Sequence, residues 1–369
     1  MLHKTAPLPP AYAAAFRGGI DHPHLWLWDS WTLKAPDGTW HLYCLALSRT
    51  GADDALIHPR DRNRFKFHIR RFSSSDDGWT WNDLGAIIQP GDVGDGSDAR
   101  NVWSGSVLGL SDGIILFGFT GVRELGPERA FLQSICIATG PGPELVANYP
   151  DAAVSCPLRD YDEILAKGYY LGPHDTLGSR DGEGGGPIMA WRDPFLFETA
   201  DGELRAIWSA KVSPTRPAIA QARLQRVGDR IELLELGPPM ELPDAELMTQ
   251  AEVPKIYCDS ETGDYLLLVS ACDRQHEGQP DSEVTQVHRL YRSGSPNGPW
   301  KPYGQSGSKL SGLDGLFGAS LVQHNLSAGR LLVIGPYTEN AGPERHLRFS
   351  EPREILIGAS AYSERAGAA

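Results

Sequence analysis

Short apolar runs separated by turns fill most of the chain. Runs such as "HLYCLALS", "GIILFGFTG" and "DYLLLVSA" are rich in Val, Ile, Leu and aromatic residues, and 41 glycines and 28 prolines are spread between them. This punctuation is typical of an all-β fold. The runs form five successive groups, which favours a β-propeller, although a large β-sandwich or two β domains would give a similar pattern.

Few segments have a helical pattern. The segment "PDAELMTQAEVPK" (243–255) has a modest one that Pro254 would end, and "YDEILAKGYY" (161–170) predicts one or two turns in a connection. Two segments rich in Gly and Asp, at 90–100 and 178–187, predict loops. The second of these loops could line or cover a pocket.

Composition and charge limit the class of partner. The chain has 369 residues, of which 41% are hydrophobic, and this is enough for a substantial core. Its 47 acidic and 34 basic residues give a formal net charge of -13, and an acidic chain repels both nucleic acid and anionic membranes. We therefore expect no nucleic acid and no membrane as a partner, while the charge says nothing specific about a neutral small-molecule substrate, which the motifs below predict. The oligomeric state stays open.

The cysteines and the first residues indicate a cytoplasmic protein. The five cysteines form no CxxC pair, and most lie in apolar runs such as "LYCLAL" and "SICIAT", as buried thiols in a reducing compartment do. The stretch "MLHKTAPLPPAYAAAFRGG" lacks the uninterrupted apolar region of a signal peptide, because prolines break it.

Four polar and aromatic phrases open the first four groups of strands: "WDSW", "WSGS", "WRDP" and "AEVP". In a propeller the first strand of each blade lines the central axis, so Asp29, Asp193 and Glu252 are expected to face one another. Two carboxyl groups about 5 to 5.5 Å apart are the equipment of a retaining glycosidase, and a third can stabilise the cationic transition state. Tryptophans fit this chemistry because sugar C–H faces pack on aromatic rings.

The order of these phrases carries a resemblance to a known family. Along the chain come "LWDSW", "WSGS", "WRDPFLFE", "TQAEVPKIY" with "DYLLLVS", and "NGPWKPYGQSG". In this the sequence resembles glycoside hydrolase family 68, the levansucrase and β-fructofuranosidase family, which is related to the family 32 invertases. The likeness covers most of the length. It implies a five-bladed β-propeller with a central axial funnel, in which 1–20 is an N-terminal extension and 21–369 is a single catalytic domain.

The resemblance also implies roles for individual residues. It places the family nucleophile at Asp29, the transition-state stabiliser at Asp193 and the acid/base at Glu252, for a retaining mechanism on β-D-fructofuranosides such as sucrose. The other positions that would bind the sugar are Trp28, Trp103, Ser104, Arg192 and Gln250, the last at a site where the family has Glu or Gln.

Three positions depart from the family pattern. The family usually has Arg directly after its acid/base, where this chain has Val253. It often has Arg or His where Ala271 stands, although Arg274 follows three residues later, and it has Tyr where Phe317 stands. These changes spare the fructosyl-cleaving residues and fall on groups expected to contact the glucosyl or acceptor side.

Several functions therefore stay open. A β-fructofuranosidase is the first interpretation, and a levansucrase-type fructosyltransferase of the same fold is its nearest alternative. A hydrolase of another furanoside, similar to an arabinofuranosidase, and a non-catalytic sugar-binding propeller are further alternatives. Each carboxylate also has a structural interpretation: Asp29 at a strand end, Asp193 bonding backbone amides, and Glu252 exposed near a helix end.

No motif calls for a metal or another cofactor. The loop with Asp92, Asp95 and Asp98 lacks the EF-hand pattern and is predicted to be solvated, and His22 and His24 are predicted to lie in a surface segment. The signatures of zinc proteases, α/β-hydrolases and phosphate-binding loops do not occur.

Overall fold

The computed structural model of the chain describes residues 7–179, 186–276, 278–325, 328–338 and 347–357. Nearly all regular structure in these residues is β-strand, in five antiparallel sheets, and one α-helix, α1 (Tyr161–Ala166), lies between the second and third sheets. The sheets are the blades of a five-bladed β-propeller. The predicted fold class is therefore confirmed.

The strands follow the chain blade by blade. Blade 1 contains β1 (Phe16–Arg17), β2 (Leu25–Lys34), β3 (Trp40–Ser48), β4 (His68–Ser74) and β5 (Thr80–Ile88). Blade 2 contains β6 (Asn101–Gly109), β7 (Ile115–Arg123) and β8 (Leu132–Gly140). Blade 3 contains β9 (Arg192–Glu198), β10 (Leu204–Ser213), β11 (Arg216–Val227) and β12 (Arg230–Leu236). Blade 4 contains β13 (Gln250–Cys258), β14 (Tyr265–Cys272), β15 (Gln286–Ser293), β16 (Lys301–Pro302) and β17 (Lys309–Leu310), and blade 5 contains β18 (Ser320–Asn325), β19 (Arg330–Ile334) and β20 (Arg353–Leu356).

The innermost strand of each blade lies next to the axis. These strands are β2, β6, β9, β13 and β18, and each is the end strand of its sheet. Strand β2 contacts β6, β6 contacts β9, β9 contacts β13, and β18 contacts β2. Residues far apart in the sequence therefore meet around one axis.

Hydrogen bonds between the first and last blades close the ring. Ser320 Oγ donates to the Ser30 carbonyl over 2.7 Å. Ile20 and Phe349 exchange backbone hydrogen bonds of 3.2 and 3.0 Å. The two ends of the propeller are thus joined through main-chain and side-chain bonds, as a closed sheet assembly requires.

Part of the predicted extension at 1–20 packs on blade 1. Strand β1 pairs with β5, with Phe16 opposite Trp81. The buried Arg70 donates to the carbonyls of Pro9 and Pro10, over 2.7 Å each. Residues 7–17 therefore extend the outer edge of this blade.

The inner strands of the first four blades each have an irregularity near the motif that opens the blade. The pairing register shifts between Trp28 and Ser30 in β2 and between Trp103 and Gly105 in β6. It shifts between Glu252 and Lys255 in β13, and in β9 Asp193 and Pro194 together lie opposite the single residue Trp208 of β10. Such bulges turn a side chain away from the regular alternation of a strand. They set the direction of the residues between them.

The apolar core lies between the blades. Its largest group joins blades 1, 2 and 3 and includes the fully buried Trp31, Phe119 and Trp208. Of the five cysteines, four are buried and Cys258 is exposed, and all are free thiols. Among the residues described above, no helix has the length and hydrophobicity of a membrane span.

Two of the local predictions are confirmed and one is wrong. The helix at 161–166 and the loop at 90–100 are present. The helical prediction for 243–255 is wrong, because a 3-10 turn (Ala245–Leu247) is followed directly by β13, in which Pro254 occupies the bulge. The period of apolar residues there is overridden by pairing with β14. Most of the predicted loop at 178–187 lies outside the described residues.

Candidate active site

A cavity of about 250 Å³ opens over the inner strands of the first four blades. Its wall contains all three predicted catalytic carboxylates, Asp29, Asp193 and Glu252. It also contains four of the five predicted sugar-binding residues: Trp28, Trp103, Ser104 and Arg192. Residues separated by as much as 224 positions (from 28 to 252) are thus brought together by the propeller.

Asp29 lies in the bulge of β2. Its backbone has a φ of 30°, and its Oδ2 accepts a hydrogen bond from Ser104 Oγ of the neighbouring blade. Burial raises the pKa of this carboxyl, the Ser104 hydrogen bond lowers it, and the charge of Glu252 raises it further. Asp29 lines the cavity, and among the described residues its carboxylate accepts one hydrogen bond, from Ser104.

Asp193 is held from three sides. Its backbone N–H donates to Thr120 Oγ1 over 2.8 Å, and its Oδ2 accepts from Ser209 Oγ and from the Val253 N–H, both over 3.1 Å. It is 4% exposed, and burial raises its pKa to about 7, against the nearby charge of Arg192. These bonds fix the orientation of the side chain, and the raised pKa allows the carboxyl to gain or lose a proton near neutral pH.

Glu252 is paired with Arg192 across the cavity. The guanidinium Nη2 lies 2.5 Å from Glu252 Oε1, and Nη1 donates to the Met189 carbonyl over 2.6 Å. Arg192 Nε also lies 3.7 Å from Asp193 Oδ2. One arginine thus links two carboxylates, and 22% of the Glu252 side chain remains exposed. The side chain of Glu252 is therefore more accessible than those of Asp193 and Arg192, which are 5% and 9% exposed.

The backbone at the site is strained at three non-glycine residues. Asp29, Asp193 and Val253 have φ values of 30°, 62° and 46°. A β-branched residue such as valine rarely has a positive φ. Here the strain is associated with the Val253 N–H pointing at Asp193. Strained backbone of this kind is concentrated at functional sites, where the surrounding packing enforces it.

Aromatic side chains form part of the wall. Trp28 packs edge-on against Phe67, with ring centroids 4.8 Å apart, and Trp103 stacks on Phe131 at 6.0 Å. All four line the cavity. Such surfaces suit the C–H faces of a sugar ring.

One predicted sugar-binding residue does not reach the wall. Gln250 is 2% exposed, and in the described part of the structure its side-chain amide has no hydrogen-bond partner and does not line the cavity. The family-variant residues Val253 and Ala271 are buried at 4% and 0%, and Phe317 is half-buried next to His288. None of these three lines the cavity either.

The sequence analysis missed several residues of the site. The polar lining also includes Arg62, Asn63, Gln133 and Tyr170. Behind the wall lie Thr120, Ser209, Lys211 and Lys255, all of them buried. The available signal was a polar residue inside an apolar strand, as in "GFTGV", "WSAKV" and "VPKIY", since a buried polar group is more informative than an exposed one.

In the acidic loop Asp98 bonds to the backbone, and of the paired histidines His22 bonds to Asp83. Asp98 is 0% exposed, which corrects the prediction that it is solvated, and it accepts backbone N–H bonds from residues 91, 92 and 93. His22 is also fully buried, against Asp83, so the prediction of a surface segment is wrong for it and holds for the exposed His24. The described residues contain no group of three or more potential metal ligands.

Comparison with known proteins bears on the fold. No protein-family model matches the sequence, and no curated protein matches it. Among solved structures, an inulosucrase from Halalkalicoccus jeotgali bound to kestose matches at 18% identity and a TM-score of 0.65, over 97% of this chain and 90% of that one. The fold is shared. A levansucrase from Bacillus subtilis matches at 16% identity and a TM-score of 0.63, over 91% and 85% of the chains. A levansucrase complexed with sucrose matches at 15% and 0.64, with the same coverage.

Proposed function

We propose that this chain is an enzyme of the glycoside hydrolase family 68 type, a retaining β-fructofuranosidase that cleaves sucrose or related β-D-fructofuranosides. The observation that carries the proposal is the meeting of Asp29, Asp193 and Glu252, from three different blades, in one cavity that also contains Trp28 and Trp103. A cavity with this equipment suits glycoside cleavage. The proteins of shared fold support a sugar substrate, since one is complexed with sucrose and one is bound to kestose.

In the first step a carboxylate oxygen of Asp29 attacks the anomeric carbon of the bound fructosyl unit. The bond from that carbon to the bridging oxygen breaks, and its electron pair stays on the oxygen. Protonated Glu252 transfers its proton to this oxygen, so the leaving sugar departs as a neutral alcohol. The product is an ester between Asp29 and the fructosyl unit.

In the second step Glu252 acts as a base. It accepts a proton from a water molecule, whose oxygen attacks the anomeric carbon and releases the Asp29 carboxylate. Fructose leaves with its original anomeric configuration, and Glu252 is again protonated. Because the Glu252 side chain is partly exposed, both a leaving sugar and a water molecule have access to it.

Asp193 and Arg192 contribute by holding the sugar. Oδ2 of Asp193 accepts from Ser209 and the Val253 N–H, so in the described part of the structure its other oxygen remains to accept a hydrogen bond from a fructosyl hydroxyl. Its negative charge stabilises the positive charge that develops on the ring in the transition state. Arg192 lies between Asp193 and Glu252 and so connects the stabiliser to the acid/base.

A fructosyltransferase of the same fold is the second candidate. The structures of shared fold are named levansucrases and an inulosucrase. In this alternative a sugar hydroxyl replaces water in the second step, and Glu252 accepts its proton. All residues keep the same roles. Only the relative access of water and sugar to the ester decides between the two.

The test is incubation of the purified protein with sucrose, a raffinose-type sugar and short fructans, with all products quantified. We expect release of fructose by the wild type and its loss in Asp29→Asn and Glu252→Gln. Equal glucose and free fructose from sucrose would indicate hydrolysis, and a deficit of fructose would indicate transfer. Glu232→Gln, on the exposed strand β12, is the control for changing a carboxylate to an amide. Folded Asp29→Asn and Glu252→Gln proteins with wild-type rates would refute the assignment.

A further inference from the structure

A buried lysine lies behind the carboxylates of the site. Lys255 is on β13, three residues after Glu252, and is 1% exposed. It does not line the cavity. Burying an ammonium ion is costly unless other groups compensate its charge. The mechanism above makes no use of this residue, so its position requires another explanation.

Two of its hydrogen bonds go to the backbone of the fifth blade. Nζ donates to the Ala319 carbonyl over 2.8 Å and to the Gly318 carbonyl over 3.2 Å. Carbonyl oxygens orient an ammonium group but do not neutralise its charge. The compensating charges come from Asp29 and Asp193, which both act electrostatically on Lys255.

The backbone held by Lys255 packs directly against Asp29. Gly318 has a φ of 67°, and a Cβ atom placed on it would lie 2.5 Å from Asp29 Oδ1 and 3.0 Å from Asp29 Cα. Its N–H donates to Ser270 Oγ over 2.9 Å, and its carbonyl also accepts from the Ser30 N–H over 3.3 Å. The position of Gly318 therefore limits where the Asp29 carboxylate can lie.

We propose that Lys255 is a positioning residue for Asp29: its hydrogen bonds fix the Gly318 backbone against that carboxylate, and its ammonium charge favours the ionised form. The inference rests on the proposed function for the role of Asp29 as the nucleophile. It concerns the protein without substrate, however, so it can be tested separately from that function.

The electrostatic surroundings explain why a second cation is needed. Burial and the charge of Glu252 raise the pKa of Asp29, although a nucleophilic carboxylate must be ionised. Arg192 also lowers the pKa of Asp29, but its guanidinium is paired with Glu252 and lies 3.7 Å from Asp193. Lys255 supplies a positive charge that lowers the pKa of Asp29.

The titration of Lys255 is coupled to that of its neighbours. Burial lowers its pKa to about 7, and the two aspartates oppose this shift. Protonation of the lysine and ionisation of Asp29 therefore favour each other. The titratable groups facing either residue from the packed strands are Arg192 and Asp193 on β9, Glu252 on β13, His288 on β15 and Cys44 on β3.

Two variants test the charge of Lys255, one with and one without a hydrogen-bond donor at this position. Lys255→Gln keeps a donor for the backbone carbonyls, whereas Lys255→Met removes both the donor and the charge. In both, we expect the acid limb of the kcat/KM profile with sucrose to move to higher pH by about 1 to 3 units, the usual effect of an adjacent opposite charge on a carboxylate. Near the acid limb this lowers kcat/KM about 10-fold or more.

Tyr257→Phe is the matched control. Tyr257 lies on the same strand, two residues further on, and its hydroxyl accepts the Leu321 N–H over 3.2 Å. Its replacement removes a link between blades 4 and 5 without changing charge. We expect this variant to keep the wild-type pH profile, and an equal shift in it would overturn the proposal. Failure of both Lys255 variants to fold, with a folded Tyr257→Phe protein, would also overturn it, because Lys255 would then serve only stability.

A titration that does not depend on turnover separates the role of Lys255 from the proposed enzymatic function. In protein labelled with ¹³C at the aspartate carboxyl, the Asp29 signal is identified by its absence in Asp29→Asn. We expect its midpoint to rise by at least one pH unit in Lys255→Gln, and an unchanged midpoint would overturn the inference. A wild-type protein inactive on every furanoside would refute the proposed function, while this titration would still decide the role of Lys255.

Discussion

Two groups of charged side chains differ in how their carboxylates are bonded. One lies on the outer part of blade 1, and the other lies on the inner strands of blades 1, 3 and 4. The first, which we name the blade-1 clamp, consists of His22, Arg70 and Asp83, each 5% exposed or less. Arg70 donates to Asp83 through Nε over 2.8 Å and through Nη2 over 2.5 Å. His22 Nε2 lies 3.2 Å from the same carboxylate, which also accepts the N–H groups of Tyr12 and Gly85.

The second group, the funnel carboxylates, consists of Asp29, Asp193 and Glu252. Burial is the first cause that raises the pKa values of Asp29 and Asp193. The charge of Glu252 raises the pKa of Asp29 further, and the charges of Asp29 and Glu252 raise that of Asp193. For Asp83, in contrast, burial alone would raise the pKa, but the hydrogen bonds from His22 and Arg70 outweigh it, and the pKa is lowered.

The difference shows how a carboxylate held by an ion pair and hydrogen bonds differs from carboxylates that we propose to be reactive in the same fold. Asp83 has its oxygens occupied by donors and is matched by a buried guanidinium, so its ionised form stabilises the native state. In the funnel, Asp29 and Asp193 have raised pKa values and line a cavity, whereas Glu252 is paired with Arg192. Groups with raised pKa values in a cavity are available for proton transfer and nucleophilic attack. Burial of an aspartate is therefore no guide to its role until its partners are known.

The largest expected effect comes from removing Asp29, the proposed nucleophile. Asp29→Asn should lower kcat/KM for sucrose by about 10⁴- to 10⁶-fold, as losses of catalytic nucleophiles do. Its free energy of unfolding at pH 8 should be unchanged or higher. The reason is that a carboxyl with a raised pKa destabilises the folded state once it is ionised. Product analysis and urea unfolding at pH 8 measure the two effects, and a large loss of stability would place Asp29 with the structural carboxylates.

The equivalent change in the clamp should have the opposite outcome. Asp83→Asn leaves the fully buried Arg70 without its counter-charge, and we expect the free energy of unfolding to fall by about 3 to 5 kcal/mol. Activity per folded molecule should stay near that of the wild type. Asp76→Asn, at the exposed turn of the same hairpin, is the control and should cost about 1 kcal/mol or less. Urea unfolding of both variants makes the comparison.

A methyl group at Gly318 tests the packing of the site. Gly318→Ala places a Cβ atom 2.5 Å from Asp29 Oδ1, so the carboxylate or the backbone must move. A displacement of about 1 Å can cost about 10²-fold in activity, and we expect kcat/KM to fall by that amount. Gly202→Ala is matched for backbone strain, with a φ of 81°, but its Cβ would meet no atom within 4 Å. Equal activity losses in the two variants would contradict this interpretation.

The smallest expected effect is a pH dependence of stability. The pKa of Asp193 is raised to about 7 in the folded state, so its stabilising contribution is fully present below about pH 3.8 and is lost as pH rises through about 7. Relative to Asp193→Asn, the wild type should therefore lose about 2 to 3 kcal/mol between pH 5 and pH 8. Asp83 has the opposite sign: its contribution is present above about pH 3.8 and is lost as pH falls through its lowered pKa. Urea unfolding across this pH range would contradict the assignment if the difference for Asp193 stayed constant.

Much of the fold could be predicted from local pattern. Alternating apolar runs and turn residues indicate strands, and their five groups correspond to the five blades. The strand β12, with its exposed Leu234, was not predicted, because its apolar positions are spaced irregularly. The segment at 243–255 was predicted to be helical for the converse reason: its local period is helical, yet pairing with β14 determines its structure.

The convergence of Asp29, Asp193 and Glu252 on one cavity could also be predicted, because each lies within a sequence motif at the start of a blade. Their catalytic roles stay predictions. The contribution of Gln250 to sugar binding is a prediction as well, since its buried side chain does not line the cavity. No pattern in the sequence connects Tyr12, Arg70 and Asp83, whose contacts span up to 71 positions.

The sequence by itself determined the all-β class, the five groups of strands and the acidic residues in the motifs that open three of these groups, because strand period and chemical character are properties of neighbouring residues. Only the tertiary structure decided which aspartate is neutralised and which is not, that Lys255 lies behind Asp29, and that Gly318 packs against it. Those features depend on distances between blades and on the exclusion of water, and both exist only once the ring has closed.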